Sequence, residues 1–100
     1  MAVVIDDLIY AIELEYVIEF DYGGYMRMVE PFVVGRSSFG DELLQGYQIA
    51  GGSQGGRIPA MKLFRVDRIE HLEITVEPIF EGFEEYDESN PWMSEVISQM

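Results

Sequence analysis

The sequence has no cysteine, which removes both the disulfide-stapled scaffold and any thiolate metal site. Basic residues are nearly as scarce. Six Lys and Arg stand against nineteen Asp and Glu, a net charge of −13. Such a chain repels nucleic acid at long range, because Lys and Arg on phosphates supply most nonspecific affinity. Anionic membranes are disfavoured for the same reason. No apolar run approaches the ~20 residues of a membrane helix. The start Met1-Ala2-Val3-Val4-Ile5 lacks a basic segment, and Asp6-Asp7 interrupt it too early for a signal peptide. The expectation is a cytoplasmic protein that binds neither nucleic acid nor membrane directly.

What is present is enough for one core. The chain has 100 residues, 48% of them apolar and 13% aromatic. A domain of that size buries roughly two thirds of the surface its unfolded form exposes. The excess of acid serves solubility in the plainest reading. It also leaves room for a basic protein partner, or for imitation of DNA.

Ile5, Leu8, Ile9 and Ile12 recur at helical spacing, so residues 5–14 are expected to form an amphipathic helix, with Asp6 and Asp7 in its first turn. The period then becomes two. Tyr16, Ile18, Phe20 and Tyr22 alternate with Val17, Glu19 and Asp21, and Gly23-Gly24 suits a tight hairpin turn. A second strand follows over residues 25–34, where Pro31 favours an edge or a bulge. Further strands are expected at 43–50, 59–66 and 70–76, with Tyr47 and Ile49 on one apolar face of the third. One helix and five short strands favour a mainly β fold: a small five-stranded barrel of the SH3-like or Sm-like kind. Residues 77–100 form an acidic segment with Phe80, Phe83, Tyr86 and Trp92, expected to pack on the barrel or on a partner. Asn90-Pro91 would cap a last short helix over 91–98.

The hairpin fixes a usable register. If Tyr22 pairs with Tyr25, Phe20 faces Arg27 and Ile18 faces Val29. Arg27 then projects among aromatic residues on the apolar face, which is costly unless it is paired or lies at an open barrel end. A one-residue bulge would send it to solvent instead.

Few motifs carry chemistry. The run Gly51-Gly52-Ser53-Gln54-Gly55-Gly56 lacks the Lys-Ser/Thr of a P-loop and joins two strands, so a hairpin connection explains it. His71, the single histidine, has Glu70 and Glu73 nearby, two metal ligands at best. Ser37 and Ser38 have no visible base, and close carboxylate pairs arise by chance among nineteen acids. No catalytic residue, metal or cofactor is expected. Half the basic residues, Lys62, Arg65 and Arg68, fall within seven positions. Arg65-Val66-Asp67-Arg68 reads either as a turn whose arginines pair with nearby acids, or as a site. In the second case Arg68 joins Arg27 at a barrel mouth, two guanidinium forks suited to a phosphate, carboxylate or nucleotide.

At these residues the chain resembles a WYL domain. The similarity runs through Val17-Ile18-Glu19-Phe20-Asp21-Tyr22, Arg27-Met28-Val29-Glu30-Pro31 and Phe64-Arg65-Val66-Asp67-Arg68-Ile69, roughly residues 8–72. The Trp-Tyr-Leu that names the family would fall at Glu42-Leu43-Leu44, leaving only Leu44, with Gly46-Tyr47 matching the small-aromatic pair beyond. About fifteen residues precede the first strand, too few for a helix-turn-helix, so the likeness is to small stand-alone members. The resemblance implies an SH3-like or Sm-like barrel and a non-enzymatic, ligand-sensing role in regulation, such as transcription regulation. On it, Arg27 and Arg68 would neutralise an anionic small ligand, with Tyr22, Tyr25, Tyr47 and Arg65 completing the site. A protein partner is the other occupant considered, and a homodimer or larger homo-oligomer formed through the barrel and acidic tail is the structural alternative.

Overall fold

The apolar stripe of residues 5–14 does form a helix, α1 (Ile5–Leu14), and the chain turns out of it at Glu15, whose φ is 58°. Leu8, Ala11 and Ile12 are buried, and Ile5 and Ile9 pack beside them. Full burial of a side chain such as Leu8 contributes about 1.5–3 kcal/mol, more than a ten-residue helix gains from its own propensity. The structure is a computed structural model, and it describes residues 5–53, 56–79, 82 and 93–99.

Six strands follow: β1 (Tyr16–Tyr22), β2 (Tyr25–Arg36), β3 (Glu42–Gly51), β4 (Ala60–Arg65), β5 (Glu70–Pro78) and β6 (Glu95–Gln99). They form one antiparallel sheet in the order β4-β3-β2-β1-β5, with β6 also on β2. The hairpin register is the expected one: Tyr22 pairs with Tyr25, Phe20 with Arg27, Ile18 with Val29. Gly23 and Gly24, at φ of 59° and 86°, supply the left-handed turn. The bulge that would have turned Arg27 outward does not occur between β1 and β2. Register shifts in β2 fall against β3 and β6 instead, one of them between Pro31 and Val33. Pro31 thus sits at a bulge, while β2 is central rather than an edge.

Two expectations are corrected. The sheet does not close into a barrel, because β4 and β5 share no ladder. They are joined by a 3-10 turn, Val66–Arg68, and the open concave side is filled by α1. The last element is a strand, not a helix over 91–98. β1 pairs with β2 only as far as Val29, and β6 takes up β2 from Val33 to Arg36. Without it those backbone groups would lack a partner, and β-branched Val96 and Ile97 suit a strand. Asn90-Pro91 lies outside the described residues.

The sheet is covered on both faces. The inner face buries Ile18, Phe20, Val29, Val34, Leu44 and Phe64 against α1. The outer face buries Phe32 and Val33 with Ile79, flanked by Tyr47, Met61 and Met93. Glu30, 1% exposed, accepts a hydrogen bond from the Gly82 amide at 2.6 Å, so the chain beyond β5 is tied to the centre of the sheet. Phe80, Phe83, Tyr86 and Trp92 lie outside the described residues. Among the described residues, no helix is long and apolar enough to cross a membrane.

Candidate anion-binding site

Period-two alternation puts Ile18, Phe20 and Tyr22 of β1 on the inner face, with Val29, Arg27 and Tyr25 opposite them on β2. On β3 and β4 the same parity brings Leu44 beside Phe64 and places Gln48 and Lys62 further along that face. The inner face therefore changes character along its length. One end is aliphatic and aromatic; the other carries Arg27, Gln48 and Lys62.

Arg27 is 6% exposed. Its guanidinium carbon lies 5.3 Å from the Tyr22 ring centre, 5.7 Å from that of Tyr25 and 5.8 Å from that of Phe64. Nη1 donates to Gln48 Oε1 at 3.3 Å and Nη2 donates to the Tyr22 carbonyl at 3.0 Å. Nε is buried with no hydrogen-bond partner among the described residues. Tyr22 is held in turn, edge-on to Phe20 and Phe64, with its hydroxyl accepting from the Arg65 amide at 3.0 Å. Gln48, fully buried, donates to the carbonyls of Ala50 (3.1 Å) and Gly52 (2.9 Å), which fixes its Oε1 toward Arg27.

The connection between β3 and β4 brings the next group. Lys62 Nζ donates to Ser53 Oγ at 2.8 Å. Gly56 lies against both; a Cβ there would fall 2.7 Å from Ser53 Oγ and 2.8 Å from Lys62 Nζ and would push these side-chain ends aside. Burial, and after it the charge of Arg27, holds the Lys62 ammonium below its ordinary pKa. Among the described residues no carboxylate forms an ion pair with either cation.

The outer cations behave differently. Arg36 pairs with Glu95 at 3.0 Å and Glu42 at 3.4 Å; Arg65 pairs with Asp67 at 3.1 Å and Asp41 at 3.3 Å. Both guanidinium pKa values are raised, chiefly by the hydrogen bonds from Arg36 to Glu95 and from Arg65 to Asp67. In a chain with nineteen acids, paired cations are the ordinary outcome.

Of the residues singled out from the sequence, Arg27, Tyr22 and Tyr25 come together. Tyr47 packs in the outer cluster, with Glu30 as its partner in the ladder, and does not join them. The Arg65 side chain is engaged by acids, and only its backbone touches Tyr22. Arg68 is exposed in the 3-10 turn, and among the described residues no hydrogen bond, ion pair or ring contact links it to Arg27. Gln48, Ser53 and Lys62 were missed. The signal for Lys62 was parity with Phe64, two positions on, once Phe64 is taken as core.

Other candidates resolve simply. Ser37 Oγ accepts from the amides of Phe39 and Asp41, a turn role. His71 Nδ1 lies 2.8 Å from Asp21 Oδ2 on an exposed surface, and no group of three potential metal ligands occurs among the described residues. Compared with known proteins, the chain matches no family model, no curated protein and no solved structure.

Proposed function

We propose that the protein is a non-enzymatic, cytoplasmic ligand-sensing module of WYL type that binds a small anionic ligand, nucleotide-like or phosphate-like, at Arg27. One observation carries this reading: an arginine 6% exposed, with a buried donor that has no partner and no carboxylate bonded to it among the described residues, in a chain rich in acid. Desolvating a cation costs several kcal/mol, and removing it in favour of an apolar residue is often neutral or stabilising. A ligand that supplies the missing charge gives such a residue a reason to be there. Tyr22 and Tyr25, which already face the guanidinium, would frame a planar group.

The test is thermal unfolding of the protein and of Arg27→Met in the presence of nucleotides and inorganic phosphate. The wild type should gain stability with at least one of them, by RT ln(1 + [L]/Kd), about 2.7 kcal/mol at a hundredfold excess over Kd. Arg27→Met should gain nothing. A wild type indifferent to all of them removes the reading.

A second reading, assembly of copies of the chain, is favoured by Phe39 at the β2–β3 turn and Val76 on β5, 91% and 84% exposed. A mass that rises with concentration in sedimentation would support it.

A further inference from the structure

Resting on the anionic-ligand reading, we infer that Lys62 and Ser53 complete the site with Arg27, and that this two-cation arrangement selects a dianionic phosphate monoester over a monoanionic diester. The groups bonded to Arg27 and Lys62 are the Gln48 amide oxygen, the Tyr22 carbonyl and the Ser53 hydroxyl, none of them charged. Lys62 lies on the same sheet face as Gln48, to which Arg27 is bonded, and its pKa is lowered first by burial and then by the charge of Arg27. Like charges brought together without a counter-ion are destabilising, and a single occupant of charge −2 relieves both.

The donors also suit a tetrahedral oxyanion. Arg27 Nε is a buried N–H with no acceptor among the described residues, and Lys62 has three donors of which Ser53 takes one. Among the described residues no cavity opens over the site. A ligand therefore enters by moving the Lys62 side chain aside, and Ser53 Oγ, which only accepts from Lys62, has its own O–H to donate to a phosphate oxygen. Gly52 and Gly56 matter here because side chains at these positions would run into Tyr25 and Lys62. Tyr25, 41% exposed, is the aromatic face open to whatever the phosphate carries.

Three probes separate the possibilities: inorganic phosphate, AMP and 3′,5′-cyclic AMP, titrated at pH 8 into the wild type, Lys62→Met, Ser53→Ala and Arg27→Met, with binding read from amide shifts of Gly52 and Ser53. The wild type should bind AMP at least about tenfold more tightly than cyclic AMP, the worth of one charge-assisted hydrogen bond. Lys62→Met should erase that preference, lowering AMP affinity while leaving cyclic AMP nearly unchanged. Ser53→Ala should weaken AMP only a few-fold, and Arg27→Met should abolish binding of both. If Lys62→Met keeps the AMP preference while Arg27→Met loses binding, the two-cation inference falls and the Arg27 reading stands. If Arg27→Met binds as the wild type does, or the wild type binds none of the probes, both fall.

Discussion

The two ends of the inner sheet face share strands, neighbours and parity, yet they are built on opposite terms. At one end Phe20, Leu44, Ile18 and Val34 bury apolar surface under α1, and every group there gains by leaving water. At the other, Arg27 sits among aromatic rings and both Arg27 and Lys62 are bonded to neutral acceptors, and the charges lose by their burial. Phe64 belongs to both, packing on Phe20 at 5.1 Å between ring centres and facing the Arg27 guanidinium at 5.8 Å. Stability thus comes from the first end, and the second is tolerated because the first surrounds it.

Substitution should break the two ends differently. The largest loss is expected from Phe64→Ala, about 3–5 kcal/mol, since it leaves a cavity and strips a ring from Arg27; urea unfolding measures it. Leu44→Ala, away from the cations, should cost about 2–5 kcal/mol. Arg27→Met should change unliganded stability by only about 1 kcal/mol, because the lost ring contacts and hydrogen bonds are offset by a cation no longer desolvated. Arg65→Met, which removes exposed ion pairs to Asp41 and Asp67, should cost no more than about 1 kcal/mol and less in high salt.

The smallest effect is a pH slope. The folded-state pKa of Lys62 is lowered from its ordinary 10.5. Between the lowered value and 10.5 the unfolded chain binds the extra proton, so stability should rise with pH through that window. Lys62→Met should flatten the rise in chemical unfolding followed across alkaline pH.

The legibility of the fold follows from where periodicity is unambiguous. Helix α1 and the Gly23-Gly24 hairpin have clean patterns, and the register of Arg27 against Phe20 came directly from counting back from the turn. The strand at 95–99 was not readable locally. It exists because β2 is twelve residues long and outruns β1, a tertiary circumstance that a capping pattern at Asn90-Pro91 does not contain. Tyr47 misled for a related reason. A strand buried on both faces offers no solvent side, so alternation does not say which side is core, and the aromatic residue was placed with Arg27 when Gln48 belonged there. Arg65 and Arg68 were grouped with Arg27 through charge and the family likeness. A 3-10 turn with one arginine held by acids and the other exposed was hidden in that run.

The central claim concerns one nitrogen. An arginine Nε–H protected from exchange gives a resolved ¹⁵N-correlated signal, and that of Arg27 has no acceptor among the described residues. Titration with AMP should move that proton downfield in step with the Gly52 and Ser53 amides, as a charge-assisted hydrogen bond to a phosphate oxygen forms. An Nε–H signal that stays in place while those amides saturate would contradict the account, since no other acceptor for it occurs among the described residues.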